Sequence, residues 1–344
     1  MPGFWRRHWA RRLTRQAVIS EAKAHAMAQT ALAFWGNASA PPRLVRIGEN
    51  VVFEAHLRDG RHVALRLHRP GYQSLAAIEA ELEWCAALAD AGVPVPRPVR
   101  AINGGWTGHV ANRRASCVEW LAGEPIGAGH LPLVGDAGQV RAEAAELGAL
   151  IARFHGACDA GAVPDDFPRK PWDAKALLGE RPRWGAFWDN PALDEKGRAL
   201  LLAARDEARN RVTQARDFGP IHADLLRENV LRGPEGLALI DFDDSGPGWR
   251  LYDLGTALVS AWRDPQLPAL VEGLLAGYSA LRPLPPDQRA LLPVFMALRA
   301  FASAGWVMSR CALDDPRNAA YAERAVALAR HVLEGTAPWE ASRA

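Results

Sequence analysis

Lysine is scarce in this chain: of 41 basic residues four are Lys (Lys23, Lys170, Lys175 and Lys196), and none follows a glycine. That excludes the Gly-Lys-Ser/Thr loop with which one large enzyme class cradles nucleotide phosphates. Between residues 24 and 169 any side-chain cation must be Arg or His. Cysteine is rare as well. Cys85, Cys117, Cys158 and Cys311 lie far apart among apolar residues, without the short spacings of a zinc site. They read as buried reduced thiols of a cytoplasmic protein. A charge excess is also missing: a formal net charge of +2 spread over 344 residues gives no footing for nucleic acid or an anionic membrane. Neither HExxH nor GxSxG occurs, which removes the metalloprotease and α/β-hydrolase signals. The longest apolar stretch, "LLPVFMALRAFASAGWVMS" (291–309), is interrupted by Pro293 and Arg299 and reads as a core helix rather than a membrane span. The start, "MPGFWRRHWARRLTR", lacks the apolar centre of a signal peptide and reads as a basic arm, with a membrane-surface helix as the alternative.

What is present describes two packed units. The chain exceeds the usual limit for one core, and 49% apolar with 23% charged residues is ordinary globular composition. Residues 1–36 read as the basic arm and an Ala-rich helix. "VVFEAHL" and "HVALRLH" are short strand-like runs joined by "RDGR", and Asp-Gly between such runs signals a hairpin. Ser74 opens a helix that Gly92 and Pro94 stop, and "ASCVEWL" (115–121) reads as another strand. Beyond 140 the pattern is mainly helical, broken by a strand pair around 221–241. A β-rich unit at 37–121 therefore precedes a larger helical unit at 122–344.

The chemistry concentrates in "IHADLLRENVLRGPEGLALIDFDDSGPG" (221–248), where an apolar run delivers Asp241, Asp243 and Asp244 to one point. Phosphoryl transfer to an alcohol needs a carboxylate for the attacking hydroxyl, oxygen ligands for a metal on the phosphates, and a cation to hold them. The protein-kinase set spaces base and metal-binding Asn as D-x-x-x-x-N, with a later Asp, and Asp224, Asn229 and Asp241 reproduce that order. The bland reading is a turn with helix-capping acids. In the first unit "VALR" (63–66) resembles the kinase V-A-I-K strand, with Arg66 in place of Lys. On the Ser74 helix Glu81 falls inside the apolar arc, whereas Glu79 and Glu83 lie beyond it. An inward carboxylate needs a cation, and Arg66 is the partner expected.

These motifs resemble the aminoglycoside phosphotransferase superfamily, which includes choline kinases, homoserine kinases and bacterial stress-response kinases. "ALRLHRPG", "VEWLAGEP", "LGALIARFHG", "HADLLRENVL", "IDFDDSGPG" and "YDLGTAL" recur in that family's order across roughly 40–260. The closest flavour is the stress-response and homoserine-kinase-like branch. The resemblance implies an α+β, protein-kinase-like bilobal fold that moves the γ-phosphoryl of Mg-ATP to a hydroxyl. It implies Asp224 as catalytic base, Asn229 and Asp241 as magnesium ligands, and Arg66 on the nucleotide phosphates braced by Glu81. The backbone of Glu119 and Leu121 would meet adenine at the interlobe hinge. His222 and Asp253 would hold the catalytic loop from behind. Two departures stand out: Arg for Lys at 66, and a phosphate loop with Gly48 alone. Asp243 or Asp244 could share the metal.

Other readings stay open at this level. A pseudokinase would bind nucleotide without turnover, although all three motif residues are present. His155 reads as a satisfied core histidine. Trp172, Trp184 and Trp188 line a pocket or merely pack. Residues 161–200 hold seven acidic and seven basic side chains, which argues against a polycationic aminoglycoside acceptor. A small homoserine-like alcohol and a protein Ser/Thr both remain possible acceptors.

Overall fold

In the computed structural model of the chain, residues 19–164 and 167–340 are described. The basic start read above as an arm lies outside them. Helix α1 (Glu21–Leu32) begins where the Ser20 hydroxyl accepts the Lys23 N–H. Strands β1 (Arg43–Ile47), β2 (Val51–His56) and β3 (His62–Leu67) follow. The Asp-Gly turn closes as expected, with Gly60 at φ +90 and the Leu57 N–H donating to the Arg61 carbonyl at 2.8 Å. Period-two alternation then sorts the hairpin. Val51, Phe53, Ala55, Val63, Leu65 and Leu67 are buried in one cluster with Ala24, Met27, Ala28 and Ala31 of α1. Val52, Glu54, His56, His62, Ala64 and Arg66 occupy the other face.

Helix α2 (Leu75–Asp90) is capped by the Ser74 hydroxyl, which accepts the Ala77 N–H at 3.1 Å. Strands β4 (Pro98–Val99), β5 (Thr107–Val110) and β6 (Arg113–Glu119) complete an antiparallel sheet in the order β1-β2-β3-β6-β4, with β5 on β6. The chain leaves this lobe after Glu119, and the short strand β7 (Glu124–Pro125) already pairs within the second lobe.

That lobe is built on α3 (Ala137–Asp159), α4 (Ala174–Leu178) and α5 (Glu195–Val212), then β8 (Phe218–Ile221), β9 (Val230–Gly233), β10 (Gly236–Leu239) and β11 (Gly246–Trp249). Helices α6 (Arg250–Val259), α7 (Leu267–Leu281), α8 (Pro286–Arg289), α9 (Leu292–Arg310) and α10 (Pro316–Glu334) close it. Four short strands thus stand where the pattern showed a pair: β8 pairs β11, and β10 pairs β9. Helices α3 and α7 touch backbone to backbone. A Cβ on Gly277 would stand 1.9 Å from the Ala145 carbonyl oxygen, and one on Gly148 2.1 Å from that of Leu274.

The apolar segment Pro286–Arg310 is long enough to cross a membrane, yet 78% of its most apolar window is buried inside the fold, as in a core helix. Trp84, Cys85 and Leu88 of α2 belong to the same core as α3, α6, α7 and α9, so one helix of the first lobe is anchored in the second.

Candidate active site

The loop after β8 is held from behind by one buried carboxylate. Asp253 accepts the His222 N–H at 3.0 Å and the Ala223 N–H at 2.7 Å, fixing Ala223 at φ +67. His155 bonds Asp253 through Nε2 and the Tyr278 hydroxyl through Nδ1, both at 3.0 Å. His222 Nδ1 accepts the Asp224 N–H at 3.3 Å, so Nε2 carries the proton and donates to the Ile240 carbonyl at 2.9 Å. Burial depresses the pKa of both rings, that of His155 to about 4. They are neutral spacers, and His155 is the satisfied core histidine its surroundings predicted.

On the front of the loop, Asp224 and Asn229 meet. Asn229 Nδ2 donates to the Asp224 carbonyl at 2.8 Å and to Asp224 Oδ2 at 2.9 Å. Asp224 Oδ1 accepts from Arg299 Nη2 at 2.6 Å. Burial raises the Asp224 pKa to about 7, and Arg299 opposes the rise. A carboxylate poised near neutrality suits proton transfer. Arg299 is the residue that reading the sequence left as a break in an apolar run. Its buried guanidinium also donates to Ser303 at 2.7 Å and lies over the Trp184 ring, centroid 5.1 Å away. One arginine amid buried apolar neighbours was the available signal.

The β10 strand delivers Asp241, which stands at φ +67. Its Oδ1 accepts from Arg66 Nη2 at 2.9 Å, while Arg66 Nη1 lies 3.4 Å from Glu81 Oε1. Burial pushes Asp241 up, but Arg66 and its other cationic neighbours outweigh it and hold the pKa below the usual range. Glu81 points inward as its helical position requires, and its second partner is Arg169, with Nη1 at 3.1 Å from Oε2. Arg169 also donates to the Ala77, Phe242, Asp243 and Ser245 carbonyls. This buried side chain rivets α2 to the acidic loop, and nothing local in the sequence announced it.

The remaining acids are engaged by the first lobe. Asn50 donates to Asp243 Oδ2 at 3.1 Å, and the Tyr72 hydroxyl bonds Asp244 Oδ1. Asn50 follows Gly48 in the β1–β2 loop, and Glu49 beside it pairs with Arg69 and with Arg310 at the end of α9. Asp241, Asp243 and Asp244, held on Arg66, Asn50 and Tyr72 in turn, and the Asn229 side-chain oxygen left over once its amide nitrogen is committed to Asp224 are all oxygen donors. Such a set fits a hard divalent cation. Glu119 ends β6, its N–H donating to the Arg97 carbonyl, and Trp120 N–H bonds the His62 carbonyl at 3.0 Å. Leu121 follows in the crossing to the second lobe.

Trp184, under Arg299, packs edge to face with Trp172 at 4.8 Å, while Trp188 packs against Phe187 and Arg205. Trp172, Trp184 and Trp188 are all buried. Trp172 stacks on Tyr252 at 5.6 Å and donates to the Asp244 carbonyl at 2.7 Å. The Tyr252 hydroxyl is buried without a hydrogen-bond partner among the described residues, in the field of Arg299, Asp224, Asp244 and Arg183. Arg183 covers the Trp172 ring at 4.2 Å and donates to the Pro171 carbonyl.

Comparison with known proteins identifies the family. The model of the phosphotransferase enzyme family (APH) matches residues 44–292. A homoserine kinase of Mesorhizobium japonicum is 33% identical over 254 residues, covering 72% of this chain and 73% of its own. One from Neisseria meningitidis serogroup B is 31% identical over 237 residues, covering 66% and 69%. The structure of a microcompartment-associated aminopropanol kinase aligns with a TM-score of 0.78 at 32% identity, covering 90% of this chain and 97% of that one. An amicoumacin kinase at 19% identity, TM-score 0.72, shares the fold. The chain belongs to the phosphotransferase enzyme family, with its protein-kinase-like fold, and is a kinase that phosphorylates hydroxyl groups.

Proposed function

We propose that the protein transfers the γ-phosphoryl of Mg-ATP to the hydroxyl of a small amino alcohol or hydroxy amino acid in the cytoplasm. The observation that carries this reading is the Asp224 carboxylate, poised near neutrality by burial and gripped by Arg299 and Asn229. Asp241 paired with Arg66 acts on it electrostatically, and so does the Tyr252 hydroxyl, which has no hydrogen-bond partner among the described residues. Asp224 takes the proton of the acceptor hydroxyl as its oxygen bonds to the γ-phosphorus and the bond to the ADP oxygen breaks. Arg66, braced by Glu81, holds the phosphates, and the backbone of Glu119 and Leu121 receives adenine. Asn229 and Asp241 would hold magnesium, which supplies charge neutralisation on the phosphates.

The acceptor side carries both signs of charge around Tyr252. Arg183 has no carboxylate within ion-pair distance among the described residues, and burial lowers its pKa, while Asp244 is raised to about 6 by burial and by Asp243. One open cation and one buried acid suit a small zwitterion better than a polycation. The test is an acceptor screen with γ-labelled ATP over homoserine, aminopropanol, choline, an aminoglycoside and a Ser/Thr peptide. Label transfer to homoserine or aminopropanol is expected. Transfer confined to the aminoglycoside or the peptide would overturn the reading.

A further inference from the structure

The outer end of the β2–β3 hairpin carries a constellation that phosphoryl transfer does not use. Glu54 and His56 are two apart on β2 and therefore share a face, and His62 on β3 stands directly opposite His56. The Leu57 N–H bonds the Arg61 carbonyl, which makes His56 and His62 a non-hydrogen-bonded pair, the closer of the two antiparallel arrangements. Their rings stack at 4.1 Å with an interplanar angle of 18°. Glu54 sits diagonally across, its Oε1 at 2.8 Å from His62 Nε2. Ala64 is the residue opposite Glu54, so no bulk intervenes. One ligand atom from each of Glu54, His56 and His62 falls within 4.8 Å of the others.

We propose that Glu54, His56 and His62 form a binding site for a borderline transition-metal dication such as Zn²⁺, Ni²⁺ or Cu²⁺. Two imidazoles and one carboxylate are ligands such ions take, with a further position open to water, whereas Mg²⁺ prefers oxygen alone. The carboxylate is oriented in advance. Arg43, opposite Glu54 on β1, engages Oε2 and leaves Oε1 turned toward His62. A second element supports the ring of His62: the indole of Trp120 stacks on it at 5.3 Å, and the Trp120 N–H bonds the His62 carbonyl. Partners of this kind, which fix ligand orientation, strengthen metal binding.

The site is separate from the catalytic acids. His62 and Arg66 lie on one face of β3 but four residues apart, about 13 Å along the strand. A cation there would bridge β2 and β3 beside the crossing at Glu119–Leu121.

Calorimetric titration of the full chain with Zn²⁺, in buffer without nucleotide, tests the proposal. The wild type should show a saturable site that Mg²⁺ does not fill, and Zn²⁺ should raise its melting temperature by mass action. His56→Ala and His62→Ala should each weaken binding on the order of tenfold or more, as loss of a direct ligand exceeds the usual effect of a supporting partner. Asp241→Asn should leave it in place. A wild type without a saturable Zn²⁺ site, Zn²⁺ binding that survives both histidine substitutions, or binding that disappears in Asp241→Asn would each overturn the proposal.

Discussion

Asp224 illustrates how a single side chain takes its chemistry from its surroundings. Burial alone would leave it protonated, and the Arg299 guanidinium at 2.6 Å pulls it back toward ionisation. Asp224→Asn keeps the shape of the side chain but cannot accept a proton. Turnover should fall about 10²–10⁴-fold with the dissociation constant for ATP little changed; turnover within a few-fold of wild type would remove Asp224 from that role. Arg169 poses a different test, because it holds Glu81 and four carbonyls at once. A double-mutant cycle of Arg169→Lys with Glu81→Gln on kcat/KM for ATP should show coupling above about 0.5 kcal/mol. Simple additivity would mean that the brace does not act as a unit. Glu81 was legible in the sequence because helical periodicity turns it inward. Arg169 and Arg299 were not, since their acidic partners lie 88 and 75 residues away and no local pattern encodes such a meeting.

The elements divide the same way. The β2–β3 hairpin and α2 could be read from an Asp-Gly turn and a Ser cap, which are local instructions. Strands β8 and β11 could not, because Pro220 and Pro247 sit inside them and proline argues against a strand. They survive as a short isolated pair, one on each side of the Asp224 and Asp241 loops. The α3–α7 contact depends on missing side chains. Gly277→Val would drive a branched side chain into the Ala145 carbonyl, and the helices would have to separate. Overpacking of this kind costs about 1–3 kcal/mol or more. A lowered urea midpoint with an unchanged slope is the expected result, and an unchanged midpoint would show that the helices part without penalty.

At the scale of the whole molecule, stability should depend on acid through the buried histidines. His155 faces Asp253, Tyr278, Arg250 and Arg282, and its pKa is held to about 4, against about 6.5 for a free ring. Below pH 6.5 the unfolded chain therefore binds the proton that the folded one refuses. The stability this ring contributes is complete above that pH and falls by roughly 2 kcal/mol between pH 7 and 5. Asp224 and Asp244, whose pKa values burial raises, favour the folded chain as pH falls, so the loss is read as the difference between wild type and His155→Gln in urea unfolding across that range; an equal pH dependence in the two would remove His155 as its source. The two lobes also share a strut. Arg299 on α9 grips Asp224, and Arg310 on the same helix pairs with Glu49 of the β1–β2 loop. Eleven residues are three helical turns, so both arginines leave one face of a rod, about 16 Å apart. On the proposed function, donor and recipient of the phosphoryl group would meet the two ends of this rod and be mechanically acquainted, and substrate binding should be synergistic. Arg310→Ala should weaken that synergy, and reciprocity fixes its form, because the factor by which ATP tightens the acceptor must shrink exactly as much as that by which the acceptor tightens ATP. Equilibrium titrations of each substrate at zero and saturating levels of the other measure both factors, and an unchanged pair of factors would show that the strut carries no signal.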